Sequence, residues 1–175
     1  IRIKKAWSAG LGDDSEFLRL ALQPVSDGGR VFAAAHDGKV SAFDAVTGKR
    51  LWRTKTKLQL SGGPTTDGEV VVLGSSNGEV VALSAADGTQ KWQRTTLGYV
   101  TSSPALGPDG TLYAGSFDGT MYALDSADGS VKWKLQTGDH IYASPALVEE
   151  DGQLQQIIIG STDGLLYSVD PDGNV

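Results

Sequence analysis

A period of about 40 residues runs through the chain and leaves few folds open to it. Trp7, Trp52, Trp92 and Trp133 are spaced by 45, 40 and 41 residues. Pro24, Pro64, Pro104 and Pro145 are spaced by 40, 40 and 41, and Gly38, Gly78, Gly119 and Gly164 by 40, 41 and 45. Three unrelated markers sharing one period indicate a repeat architecture. Unit one reads RVFAAAHDGKVSAFDAVTGKRLWRT, unit two EVVVLGSSNGEVVALSAADGTQKWQRT, unit three TLYAGSFDGTMYALDSADGSVKWKLQT and unit four QIIIGSTDGLLYSVDPDGNV. The apolar runs are short, rich in Val, Ile, Leu and Tyr, and bounded by Asp-Gly, Asn-Gly or Thr-Gly pairs, the residues of tight hairpins. Three such turns per unit imply four antiparallel strands, A to D. Four strands in about 40 residues is a propeller blade. The expected fold is therefore all-β: one domain, a β-propeller of four four-stranded blades at roughly 20–56, 60–96, 101–137 and 142–175, the last together with 1–9.

The fourth unit lacks a D strand and its Trp, and the segment IRIKKAWSAG supplies both, with Trp7 in the place of Trp52, Trp92 and Trp133. An unpaired strand edge exposes a row of backbone donors and acceptors, so the N-terminal strand is expected to complete the last blade. Two closures satisfy this: a four-bladed ring within one chain, or half of an eight-bladed ring built by two. Charge favours the homodimer. Residues 1–96 carry 13 of the 15 Lys and Arg against 10 acids, whereas residues 97–175 carry only Lys132 and Lys134 against 11 acids. Head-to-tail contact would bring the basic half of one copy to the acidic half of the other. The net charge of −6 argues against nucleic acid as a partner. No run of 18 apolar residues suggests a transmembrane helix. The chain has no Cys, which excludes disulfides, thiolate nucleophiles and cysteine metal sites. It starts at Ile1, without Met or a signal peptide, and reads as a mature or trimmed form.

The stretches AFDAVTGKRLW, ALSAADGTQKW and ALDSADGSVKW resemble the quinoprotein (PQQ-like) repeat with its tryptophan docking motif. Within that superfamily, AWSAGLG, PVSDGGRVFAAAHDGKVSAFDAVTGKRLW and LSGGPTTDGEVVVLGSSNGEVVALSAADG resemble the BamB family, and residues 97–175 a more generic repeat. The resemblance implies a periplasmic, outer-membrane-associated interaction scaffold of the β-barrel assembly machinery. It further implies POTRA domains of a barrel-insertion protein as partner. The lipid-anchor Cys and the signal peptide of that family are absent from this chain. The family has eight blades where this chain has four. An engineered or truncated propeller fragment or chimera that only self-assembles is the alternative, and a fragment of a quinoprotein dehydrogenase or sensor a further one.

The residues themselves point away from catalysis. The four Trp recur at one strand position and are read as structural docking residues, not a cofactor cage. Quinoprotein dehydrogenases, by that resemblance, use eight blades, calcium and often vicinal cysteines, which argues against an enzyme and against a cofactor. His36 lies in the turn HDGK and His140 in the loop GDHIY, both read as solvated, with no nucleophile elbow beside them. Asp170-Pro171-Asp172-Gly173-Asn174 resembles half of a calcium loop but lacks the closing Glu, so no metal is expected. A partner is expected on the face formed by the D-to-A connections and B–C turns, whose connections at 10–22, 54–60, 95–100 and 136–143 are the longer and more apolar. Phe17, Leu18, Arg19, Tyr99, His140, Ile141 and Tyr142 are its candidate residues, with the apolar ones exposed as a rim. Leu18-Arg19 also resembles a Leu-Arg pair that BamB relatives place in a later inter-blade loop against POTRA domains.

Overall fold

The computed structural model describes residues 5–11 and 22–175. It folds into four antiparallel sheets in chain order, with no helix among the described residues. The first sheet holds β1 (Val25–Asp27), β2 (Arg30–Ala34), β3 (Lys39–Asp44) and β4 (Arg50–Lys55). The second holds β5 (Leu60–Thr66), β6 (Val70–Ser75), β7 (Glu79–Ser84) and β8 (Gln90–Thr95). The third holds β9 (Ala105–Leu106), β10 (Thr111–Gly115), β11 (Thr120–Asp125) and β12 (Val131–Gln136). The fourth holds β13 (Ala146–Glu150), β14 (Gln153–Gly160) and β15 (Leu166–Val169). Each sheet is a meander, so strand order in space is strand order in sequence. This is the β-propeller expected from the repeat.

Local chemistry sets the meander. Every turn Gly of the three sets, from Gly28 to Gly173, has a positive φ, the region a Cβ disfavours. The central strands β6, β7, β10 and β11 are buried almost throughout, because neighbouring sheets cover both of their faces. Three apolar clusters fill the spaces between sheets: Phe32, Trp52, Leu60 and Leu73 between the first and second; Val72, Trp92, Val100 and Leu112 between the second and third; Tyr113, Met121, Ile141 and Ile157 between the third and fourth.

The Trp of each D strand reaches across to the next blade. Trp52 Nε1 donates to Ala85 O at 3.0 Å, Trp92 Nε1 to Ser126 O at 2.8 Å and Trp133 Nε1 to Pro171 O at 2.8 Å. The ring lies on the Gly of the neighbour's C–D turn. A Cβ built on Gly88 would stand 2.5 Å from Trp52 Cε3, and one on Gly129 2.6 Å from Trp92 Cε3. Gly is thus required there twice, for the positive φ and for the space the indole occupies.

Trp7 follows the same rule on the first blade. Its Nε1 donates to Ala45 O at 3.0 Å, its ring stacks 6.2 Å from Phe43, and it covers Gly48. The N-terminal segment therefore sits where the D strand of a preceding blade would sit. Among the described residues the fourth sheet has three strands, residues 5–11 form no strand, and their hydrogen bonds, from Trp7 and from Arg53 to Gly10 O, tie them to the first sheet. The indole is captured by the first blade's turn whether or not its backbone is paired. Among the described residues the flank of the fourth sheet is uncovered: Gly160 and Gly164 meet none of them within 4 Å, while Gly115 meets Ile141 and Gly119 meets Gln136 and Asp139 of the next connection.

Candidate functional site

The D-to-A connections and the B–C turns lie together, as the repeat predicts, because each connection is hydrogen-bonded to the turn it crosses. Ser76 N donates to Gln59 O, Phe117 N to Tyr99 O and Thr162 N to His140 O. A second staple fixes where each connection begins. The hydroxyls of Thr96 and Thr137 donate to Gly78 O and Gly119 O, both at 2.8 Å, and Thr56 to Gly38 O at 3.1 Å. These bonds hold residues 96–100 and 137–142 against the turns of the second and third blades.

Four rings meet on this face. Phe117 lies at the centre, with its centroid 4.3 Å from Tyr142, 5.3 Å from His140 and 5.5 Å from Tyr99. The His140 ring stacks on Phe117 at an interplanar angle of 27°, and its Nδ1 bonds Phe117 O. Tyr142 approaches both rings edge-on, 6.1 Å from His140. Phe117 is half-buried while Tyr99 and Tyr142 are 54% and 52% exposed. Leu97, 92% exposed, extends the apolar surface. Such ring contacts prefer offset or edge-on packing, and Tyr99 and Tyr142 keep about half of their surface exposed to a further group.

Three carboxylates flank the rings. Burial works against ionisation of Asp118, but bonds from Tyr122 Oη at 2.7 Å, Thr120 N at 2.7 Å and Leu97 N at 3.1 Å outweigh it and hold its pKa below the usual range. Asp163, lowered chiefly by the Tyr167 hydroxyl, also accepts from Leu165 N and Gly138 N. Both are committed to turn structure. Asp139, lowered chiefly by the backbone N–H of His140, is exposed and carries its charge at the rim of the cluster, 3.6 Å from His140 Nδ1.

Tyr99, His140 and Tyr142 are thus brought together. Ile141 is not part of the rim: it is 1% exposed and packs with Tyr113, Met121 and Ile157. The alternation of a connection crossing a sheet end turns its neighbours outward and its own side chain into the core, as Leu60 and Val100 do at the same distance before their Pro. Phe17, Leu18 and Arg19 lie outside the described residues. Phe117 was not foreseen; its signal was an aromatic in the B–C turn where the other units carry His36, Ser76 and Thr162. His36 is half-buried rather than solvated, with Nδ1 bonded to Leu60 O at 2.8 Å. Asp170 accepts bonds from Asp172 N, Asn174 N and Asn174 Nδ2, so the DPDGN segment is a turn that seats Trp133. Among the described residues no group of three His, Asp or Glu is placed to hold a metal ion. On the opposite face, Pro108, Asp109, Gly152, Gln153, Leu154 and Pro171 line a surface depression between the third and fourth blades.

The family profile of the outer membrane protein assembly factor BamB matches residues 4–52 and 36–175. The chain belongs to the BamB family. The BamB of Alkalilimnicola ehrlichii is 46% identical over 57 residues, a stretch covering 33% of this chain and 15% of that protein. The crystal structure of BamB from Moraxella catarrhalis superposes with a TM-score of 0.75 at 23% identity, covering 90% of this chain and 48% of that one. The chain thus spans about half the length of that BamB structure. A quinohemoprotein alcohol dehydrogenase from Comamonas testosteroni is similar in fold alone, with a TM-score of 0.72, 19% identity, and coverage of 89% and 34%. The BamB relatives are named as assembly factors. No helix of the described residues is long and apolar enough to cross a membrane.

Proposed function

We propose that this chain is a non-enzymatic protein-interaction scaffold of outer-membrane β-barrel assembly, working in the periplasm and presenting its loop face to the POTRA domains of a barrel-insertion protein. Family membership supports the setting. One observation carries the choice of face: the rings of Tyr99, Phe117, His140 and Tyr142 stand where the second blade, built on the same plan, has Gln59, Ser61 and Ser76. The fold does not need aromatics there, and rigid aromatics are what protein interfaces select. Titrating a POTRA-domain array into the protein by calorimetry is expected to show binding that Phe117→Ser with Tyr142→Ser weakens, and Leu18→Ala with Arg19→Ala tests the first connection in the same assay. Absence of binding, or binding indifferent to both pairs, overturns the reading.

Association between copies is a second reading, favoured by two complementary halves of a blade. The outer edge of β15 carries no partner among the described residues, and Trp7 is docked as the Trp of a D strand that has no C strand beside it. Residues 1–9 of one copy would pair with β15 of another. Light scattering is expected to give twice the chain mass for the protein and a single mass after Trp7→Ser; a single mass for both excludes it.

A further inference from the structure

The third and fourth blades, which carry the ring cluster, hold few cations. Between residues 97 and 175 the only cations are Lys132 and Lys134, and both are engaged elsewhere. Lys132 Nζ donates to Thr111 Oγ1 at 2.7 Å and lies 3.7 Å from Asp125, and Lys134 Nζ sits 4.9 Å over the Tyr122 ring. Tyr99 and Tyr142 remain half exposed on either side of Phe117, and the exposed Asp139 carboxylate stands beside the His140 ring. Aromatic faces next to an ionised carboxylate attract a planar cation twice, through the ring quadrupole and through the carboxylate. The guanidinium suits both, since it stacks on rings, meets a carboxylate with two parallel N–H groups, and gives up its hydration more readily than an ammonium. Excess acid over this half of the chain adds attraction at longer range.

We propose that Tyr99, Phe117, His140 and Tyr142, with Asp139 at their edge, form a receptor for an arginine side chain presented by an extended segment of a partner protein. This rests on the loop face being the partner surface and names the chemistry that the face reads. The fold tolerates loss of the cluster, because the second blade makes the same connection-to-turn bond, Ser76 N to Gln59 O, with no aromatic at either position.

The test uses the 175-residue chain and a fluorescein-labelled Gly-Ser peptide carrying arginines, with lysine and citrulline versions of the same peptide, followed by anisotropy. The arginine peptide is expected to bind most tightly, the lysine peptide several-fold more weakly, and the citrulline peptide not detectably. Phe117→Ser with Tyr142→Ser, and separately Asp139→Asn, are expected to weaken arginine-peptide binding about tenfold and several-fold, with circular dichroism and melting temperature unchanged. Equal binding of the arginine and lysine peptides, or binding that survives the Phe117 and Tyr142 substitutions, would show attraction by net charge alone and overturn the proposal, as would no binding at all. No peptide binding to the unsubstituted chain, with POTRA binding present, sinks this inference and spares the wider one; the converse sinks the POTRA partner and spares the receptor.

Discussion

Trp92 shows how much one side chain contributes. It is buried between the second and third sheets, with its N–H on Ser126 O and its ring over Gly129. Trp92→Ala should cost about 3–5 kcal/mol, because neighbours on two sheets cannot collapse into the space. Trp92→Phe keeps part of the packing and leaves Ser126 O unpaired, so a smaller loss, about 1–3 kcal/mol, is expected. Urea midpoints order the three proteins. Tyr113 makes the opposite case. Among the described residues its buried hydroxyl has no hydrogen-bond partner, and burial together with the Asp109 carboxylate pushes its pKa up to about 12. Tyr113→Phe removes an unsatisfied group at nearly constant volume and should leave stability unchanged or raise it by about 1 kcal/mol, measured by the same midpoints. A fall larger than that would show a partner for the hydroxyl.

At the scale of elements, one Thr pins the start of each connection leaving β4, β8 and β12 to the B–C turn beside it. Thr137 donates through its N–H and its hydroxyl to Gly119 O, at 2.9 and 2.8 Å, and its hydroxyl also reaches Asp139 O at 2.7 Å. Thr137→Val keeps the shape and the backbone bond and loses the hydroxyl bonds. The expected result is a loss of about 1 kcal/mol, with faster amide exchange confined to 138–142 rather than spread through β12. The same elements show what the sequence made readable. Turn pairs and strand alternation identify each strand, since a Gly at positive φ and a period of two are local requirements. The partner of each Trp follows from the period. Burial of Ile141 was legible too, had the position four before each Pro been compared across units. The ring cluster was only half legible: Tyr99, His140 and Tyr142 lie on two connections 40 residues apart, and what unites them is Phe117, from a turn between them in sequence. No local pattern encodes a contact that depends on how far one blade is rotated from the next.

Across the whole molecule, acid should unfold it. Asp44, Asp87, Asp118, Asp128, Asp163 and Asp170 all hold turn N–H or hydroxyl groups and have lowered pKa values. A carboxylate with a lower pKa folded than unfolded stabilises above the unfolded value near 4, and that stability is lost as pH falls through the folded value. The melting temperature is therefore expected to be flat from about pH 7 to 5 and to fall below about pH 4, less steeply in Asp118→Asn; a profile flat to pH 3 would contradict the turn chemistry. Blade curvature belongs to this scale as well, since four blades overlay 48% of a BamB chain at a TM-score of 0.75. The docking of each indole has a further consequence. Its polar receiver on the next blade is each time a main-chain carbonyl beside a glycine. The hydrogen-bonded part of each joint therefore reads the neighbour's backbone, while the apolar packing around it asks only for hydrophobic side chains. Units of this kind behave as interchangeable cassettes: gene duplication can lengthen the array, and recombination can splice in a unit with new loops, without redesigning a single joint. The abrupt change of charge near residue 97, across a joint of unchanged geometry, is the tolerance such construction confers.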